Sequence, residues 1–208
     1  MKTVRIGVIH QGAGNIHSVC RGLKAIGCEP VILTDGAELG RFDRLVLPGV
    51  GSFGTGMRVL ERQGMIDPIL SHVAAGRPFL GICLGAQLIM ERSSEFGSHD
   101  GLGLIAGGVD FIPKSPGVRV PHVGWASVQE SRSWSDTWLK DQAPGANFYF
   151  THSLVCVPDN EADVLAHVDY GGNRLVAAVH RDNVLGVQFH PELSTKRGLS
   201  ILKNFIDA

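Results

Sequence analysis

An apolar run, Phe79 to Ile82, passes without a linker into a segment with helical spacing, Leu84 to Arg92, through Gly81-Ile-Cys-Leu-Gly85. A strand hands over to a helix in so few residues only through a sharp turn, which brings backbone so close that flanking positions must lack a Cβ. Glycine at both ends meets that need. Such a turn lifts the central side chain, Cys83, out of the sheet and aims the first N–H groups of the following helix at its sulfur. Those groups favour a thiolate and a developing oxyanion. A lone free cysteine is ordinarily a small core residue; this setting makes Cys83 a candidate nucleophile.

The rest of the first half fits the same strand-then-helix grammar. Val4 to Ile9, Pro30 to Leu33 and Arg44 to Leu47 read as buried strands, with helices at Asn15 to Ile26, Thr55 to Arg62 and Met65 to Ala75. Near-continuous apolar strands alternating with helices predict a mostly parallel sheet covered on both faces, an α/β fold. The second half changes rhythm. Val118 to Val123, Phe148 to Phe150, Ser153 to Val157, Val164 to Val168, Leu175 to His180 and Val184 to Phe189 read as short strands, so the second half is expected to hold a smaller antiparallel portion. Turns are expected at Asn173 and at Asp182-Asn183, a loop from Ser131 to Gly145, and a closing helix from Thr195 to Ile206. With no repeat or linker in the sequence, residues 1–208 are expected to form one domain.

A second chemical element is Gly186-Val-Gln-Phe-His190-Pro-Glu192. His190 ends an apolar strand, and in extended chain residues i and i+2 point to the same side, so the Glu192 carboxylate can emerge beside the imidazole. That pairing fixes the ring's tautomer and leaves its other nitrogen free to serve a thiol. A third is Pro48-Gly-Val-Gly51 at the end of another strand, whose glycine-rich backbone can present N–H groups to an oxyanion. In a parallel sheet this loop and Cys83 fall on the same edge, where ligands bind in such folds.

Composition removes other classes. The 19 Lys and Arg against 20 Asp and Glu leave a net charge of −1, which gives no footprint for nucleic acid or an anionic membrane. The longest mostly apolar stretch, Pro78 to Met90, is shorter than the roughly 18 residues of a membrane span. Ile6 to Ile9 is too short for a signal-peptide core, so a cytoplasmic protein is expected. Cys20, Cys28, Cys83 and Cys156 have neither metal-ligand spacing nor the look of a disulfide framework, and no metal or cofactor is expected. His17 and His72 read as solvated helix positions, and His99, His167 and His180 have no ligand partners at metal spacing. Gly12-Ala-Gly-Asn15 is half a dinucleotide fingerprint without its third glycine.

Taken together, Gly-Ile-Cys-Leu-Gly-Ala-Gln87 and the late Gly-Val-Gln-Phe-His-Pro-Glu resemble the class I glutamine amidotransferases. Among them the chain is most similar to the glutaminase subunits of imidazole glycerol phosphate synthases, through Gly12 to Val19, Pro48 to Phe53, Gly101-Leu-Gly-Leu104, Pro121-His-Val-Gly-Trp125 and Tyr149-Phe-Thr-His-Ser153. The resemblance implies a γ-glutamyl thioester on Cys83, with His190 as base and Glu192 orienting it. It implies an oxyanion held by N–H groups of Leu84 and of Gly49, Val50 or Gly51. Gly51, Gln87, His152 and Ser153 would contact glutamine. The ammonia would pass to a separate (β/α)8-barrel cyclase in a heterodimer, with Asn15, His122 and Trp125 near the interface gate.

The chain departs from the family pattern at three places. Leu193 stands where Lys usually follows His-Pro-Glu, Ala126 where Asn usually follows Gly-Trp, and His10-Gln11-Gly12 where many members have Asp-Tyr-Gly. The first two leave open a paralogous glutaminase that feeds a cyclase-like partner for amidination of a surface sugar. Two other readings are a peptidase-like cysteine hydrolase, against which Gln87 and the late His-Pro-Glu argue, and a non-catalytic regulatory subunit, against which the intact Cys, His and Glu argue.

Overall fold

A computed structural model describes residues 4–12, 15–114 and 117–208, so Ala13 and Gly14 of the Gly12 to Val19 block lie outside the described residues. In chain order the first half runs β1 (Ile6–Ile9), α1 (Ile16–Ala25), β2 (Val31–Leu33), β3 (Arg44–Gly49), α2 (Phe53–Arg62), α3 (Ile66–Ala74), β4 (Phe79–Cys83) and α4 (Leu84–Leu88). The second half runs β5 (Met90–Ser93), β6 (His99–Asp100), β7 (Ile105–Phe111), β8 (His122–Glu130), β9 (Ala146–His152), β10 (Leu154–Pro158), β11 (Val164–Tyr170), β12 (Asn173–Arg181), β13 (Val184–Val187) and α5 (Thr195–Asp207).

Nine of these strands form one sheet in the order β2-β1-β3-β4-β13-β12-β11-β8-β9. The five from β2 to β13 are parallel, and from β13 to β9 every pairing is antiparallel. Strands β1, β3, β4 and β13 are buried along their whole length, because their side chains alternate between two apolar layers. Val46, Leu80 and Ile82 join Val19 and Leu23 of α1 and Ile201, Leu202 and Phe205 of α5. Leu45, Leu47 and Phe79 join Leu60 of α2, Ile69 of α3 and Leu88 of α4. A second, four-stranded sheet, β10-β7-β5-β6, closes that layer with Ile105, Val109, Leu154 and Cys156.

The expected hairpins form at Gly171-Gly172, where Tyr170 faces Asn173, and at Asp182-Asn183, where Arg181 faces Val184. Residues 131–145 carry no regular strand or α-helix, and Trp134 anchors them by donating from its indole to the Leu165 carbonyl at 3.1 Å.

Three expectations need correction, and strand β7 was not foreseen. The helix after Cys83 ends at Leu88, not Arg92. Leu102 donates to the Leu88 carbonyl, Leu104 and Ile105 to that of Ile89, and Gly103 to that of Met90, so the chain 101–105 takes the acceptors that a longer helix would use. Residues 90–93 are thereby drawn out as β5. The strand expected at Val118 to Val123 begins only at His122, since Pro121 has no N–H to give a ladder. The β7 segment, Ile105-Ala-Gly-Gly-Val-Asp-Phe111, went unread because its two glycines break the apolar alternation. His72 is buried in α3, with its Nε2 at 3.1 Å from the Pro78 carbonyl, rather than solvated.

Candidate active site

The C-terminal ends of β3, β4 and β13 lie side by side, with Gly49 opposite Cys83 and Ile82 opposite Val187. Cys83 closes β4 at φ 55° and ψ −110°, a left-handed conformation that a side chain adopts only where its surroundings force it. Both flanking glycines are obligatory. A Cβ on Gly81 would sit 2.6 Å from the Gly85 carbonyl oxygen, and one on Gly85 would sit 1.7 Å from that of Leu47. Helix α4 is only five residues long, so it offers the sulfur its first N–H groups rather than an extended macrodipole.

The His190 Nδ1 lies 2.8 Å from Glu192 Oε1, with both side chains almost fully buried. A carboxylate there makes Nδ1 the donor and leaves Nε2 to serve Cys83. Burial alone would lower the imidazole's pKa. The hydrogen bonds and charges of Cys83 and Glu192 outweigh it and push it up to about 10, favouring an imidazolium. The ring is held from its backbone: His190 N–H donates to the Tyr149 carbonyl at 2.9 Å. The fully buried Ser194 hydroxyl donates to the His190 carbonyl and accepts from the Tyr149 N–H at 3.0 Å.

Beside Cys83 opens a cavity of about 290 Å³ lined by Val50, Gly51, Cys83, Leu84, Gln87, Glu95, Pro121, Thr151, His152, Ser153 and Leu154. The structure thus gathers Cys83, Leu84, Val50, Gly51, Gln87, His152 and Ser153 at one cavity, with Gly49 at its edge. Gln87 does not stand free in it. Its amide donates to Gln188 Oε1 at 2.9 Å and to the Leu154 carbonyl at 3.2 Å, and Gln188 donates in turn to the Cys83 sulfur at 3.7 Å. His152 Nδ1 lies 2.7 Å from the Leu154 carbonyl and must donate to it, so its Nε2 accepts from His122 Nδ1 at 3.0 Å. Burial is the chief cause that pushes the His152 imidazole down to about 4, against the Leu154 hydrogen bond and with the help of His122 and His190.

His122 is buried, stacked between Phe150 and Tyr170. Trp125 is 53% exposed on β8 and meets edge-on, at 6.0 Å, Tyr149 of β9, the residue whose carbonyl accepts the His190 N–H. Asn15 is exposed and stands at the start of α1. Cys156, inside the second layer, is a structural thiol: burial pushes it up to about 12. Among the described residues no cluster of His, Cys, Asp or Glu could hold a metal ion, and no helix is long and apolar enough to cross a membrane.

Gln188, Ser194 and Glu95 escaped sequence reasoning. Gln188 and Ser194 flank His190 closely, and period-2 spacing back from His190 could have flagged Gln188. Glu95 had no signal. It reads as a polar turn residue, yet the second sheet brings it against α2, where it accepts from the Phe53 N–H at 2.5 Å and becomes the one acid lining the cavity among the described residues.

This strained cysteine, its imidazole–carboxylate pair and the sheet that carries them place the chain in a known class. It matches the family described as Glutamine amidotransferase class-I over residues 8–208, and it belongs to that family. The match narrows among curated proteins. The chain is 44% identical over 207 residues to the imidazole glycerol phosphate synthase subunit HisH of Syntrophotalea carbinolica, covering 97% of this chain and 99% of that one. It is 40% identical over 209 residues to subunit HisH 1 of Legionella pneumophila (strain Lens), covering 97% and 98%. Among solved structures the fold is shared with PurLQS from Thermotoga maritima, at a TM-score of 0.78, 20% identity and 99% coverage of both chains.

Proposed function

We propose that this chain is the glutaminase subunit of an imidazole glycerol phosphate synthase, a single glutamine amidotransferase domain in which Cys83, His190 and Glu192 do the chemistry. The observation that carries it is the Cys83 sulfur, at a strained strand end, on the wall of an amino-acid-sized cavity, with the buried His190–Glu192 pair acting on it. The Cys83 sulfur attacks the γ-carboxamide carbon of glutamine, and the charge on its oxygen is met by N–H groups of Leu84 and of the Gly49 to Gly51 loop. His190 holds the thiol proton and gives it to the departing nitrogen, releasing ammonia and leaving a γ-glutamyl thioester. Water, deprotonated by the same ring, then hydrolyses the thioester to glutamate. Glu192 keeps Nε2 aimed at the sulfur throughout. Glu95 is placed to take the substrate's α-ammonium, and Gly51, Gln87, His152 and Ser153 shape the rest of the pocket.

The named relatives support a partner that consumes the ammonia, and the family resemblance makes it a (β/α)8-barrel cyclase. The exposed apolar residues Val123, Trp125 and Leu193 offer a surface for it. Leu193 also favours a second reading, a paralogue whose barrel carries no charge opposite that position. One experiment separates the two. Glutamate release is measured for the subunit mixed with the histidine-pathway cyclase of the same genome, with and without the phosphoribulosyl-formimino nucleotide. Stimulation by the nucleotide, abolished in Cys83→Ala while ammonia-dependent synthesis survives, is expected. No stimulation, with a glutamine analogue still captured at Cys83, would leave the glutaminase and reassign the partner.

A further inference from the structure

The loop after β3 has a partner outside the triad. Strand β1 pairs with β3 only as far as Val8 opposite Val46, so the carbonyls beyond Val46 lose their neighbour on that side. The side chain of Gln11, only 3% exposed, fills the gap and donates from Nε2 to the Pro48 carbonyl at 2.8 Å. The fit is close. A Cβ on Gly49 would sit 1.5 Å from Gln11 Nε2, and one on Gly56 would sit 2.7 Å from its Oε1. Among the described residues Oε1 has no hydrogen-bond partner, although it is buried. An unpaired buried amide oxygen is destabilising, and an apolar side chain of the same length would avoid it. Simple packing therefore does not account for an amide here; the bond to Pro48 does.

Holding the Pro48 carbonyl fixes the plane of the Pro48–Gly49 peptide. Gly49 is pinned on its other side by its register opposite Cys83, so the directions of the Val50 and Gly51 N–H groups are set from that peptide onward. Gly51 adopts φ +107°, and both residues line the cavity at the sulfur. We propose that Gln11 is a positioning residue for the oxyanion loop, acting through the Pro48 carbonyl; this rests on the glutaminase reading above. A misplaced loop weakens transition-state binding more than glutamine binding, because of the glutamine contacts only Gly51 lies on it while Gln87, His152 and Ser153 stay in place.

The test is Gln11→Met and Gln11→Glu, each assayed in complex with the cyclase. Gln11→Met keeps the length and loses the donor. It should lower kcat for glutamate release by between about tenfold and a hundredfold, with KM within about threefold. Alkylation of Cys83 by iodoacetamide, which needs no oxyanion donor, should stay within about twofold of wild type. Gln11→Glu should lose as much at pH 8 and recover relative to wild type as the pH falls, because the protonated carboxyl regains an O–H donor for Pro48. Two results overturn the proposal. One is an unchanged kcat in Gln11→Met. The other is a loss that runs parallel in kcat, alkylation and melting temperature, with no acid recovery in Gln11→Glu. Wild-type complex that released no glutamate would overturn the glutaminase reading itself, and this proposal with it.

Discussion

The His122–His152 pair predicts an acid-labile fold whose lability can be assigned to one ring. His152 titrates at about 4 in the folded chain, against 6.5 when exposed, because burial disfavours its charged form. Its tautomer is also fixed: Nδ1 donates to Leu154, so a second proton on Nε2 would face the Nδ1–H of His122. The unfolded chain binds that proton near 6.5 and the folded chain does not. Stability from this ring is therefore complete above pH 6.5 and lost as the pH falls through about 4. Integrating the linkage between those two values gives a loss of about 2 kcal/mol from pH 8 to pH 5 and about 3 kcal/mol by pH 4. Urea unfolding at pH 8, 6.5 and 5 measures it for wild type and His152→Gln. The variant is less stable at every pH, but its loss between pH 8 and pH 5 should be smaller than wild type's by about 2 kcal/mol. His72, His167 and His180 are also lowered, but none of them hydrogen-bonds His152, so they contribute equally to both proteins. Equal pH slopes in the two would refute the assignment.

Three further outcomes follow from the same geometry. Glu192→Gln should lower kcat by about a hundredfold or more by releasing the tautomer of His190. It should also remove stability that is complete below pH 6.5 and lost as the pH rises through about 10, so wild type and variant that weaken identically in alkali would count against the pair. Gly85→Ala, which drives a Cβ to 1.7 Å from the Leu47 oxygen, should destabilise by about 3 kcal/mol or fail to fold. Gly40→Ala, which meets nothing within 4 Å, should change the melting free energy by less than about 0.5 kcal/mol; similar losses in both would show that close approach is not what the elbow requires. Trp125→Ala should weaken cyclase binding about tenfold or more in a titration while capture of a glutamine analogue at Cys83 is unchanged. Wild-type affinity would move the interface away from β8.

What the sequence made legible was whatever one strand end could carry. Cys83 with its two glycines, His190 with Glu192, and the Pro48 to Gly51 loop are each a contiguous run whose spacing states its own geometry. The four buried strands and their helices were readable for the same reason, since their apolar periods are local. What escaped was set by distant pairings. Residues 90–93 follow a helical pattern and would continue α4, but backbone from 101–105 takes the carbonyls and makes a strand of them. Glu95 reaches the cavity only because the second sheet folds over α2. Gln11 looked like a departure in a turn, and its bond to Pro48 appears only once β1 and β3 are side by side. Spacing carried no trace of these contacts, and those of Gln11 and Glu95 span 37 and 42 residues.

The mixed sheet is what lets the local pieces meet. Strand β12 is antiparallel to β13, yet β13 is parallel to β4. The short turn at Asp182-Asn183 therefore reverses the chain so that β13 ends at the same edge as β3 and β4. Had β13 paired antiparallel with β4, Val187 would lie at the far edge, and His190 would be a strand's length from Cys83, about 13 Å for four residues. Running β13 parallel to β4 instead puts Val187 opposite Ile82, so the three residues from Val187 to His190 carry the ring to the level of Cys83. Past that point the base depends on β9, the last strand of the antiparallel half, whose Tyr149 carbonyl accepts the His190 N–H. The parallel half thus supplies the nucleophile and its loop, and the antiparallel half supplies the support for the base. On the same β9, Tyr149 also faces Trp125, so a partner bound over Trp125 would touch the strand that aims His190.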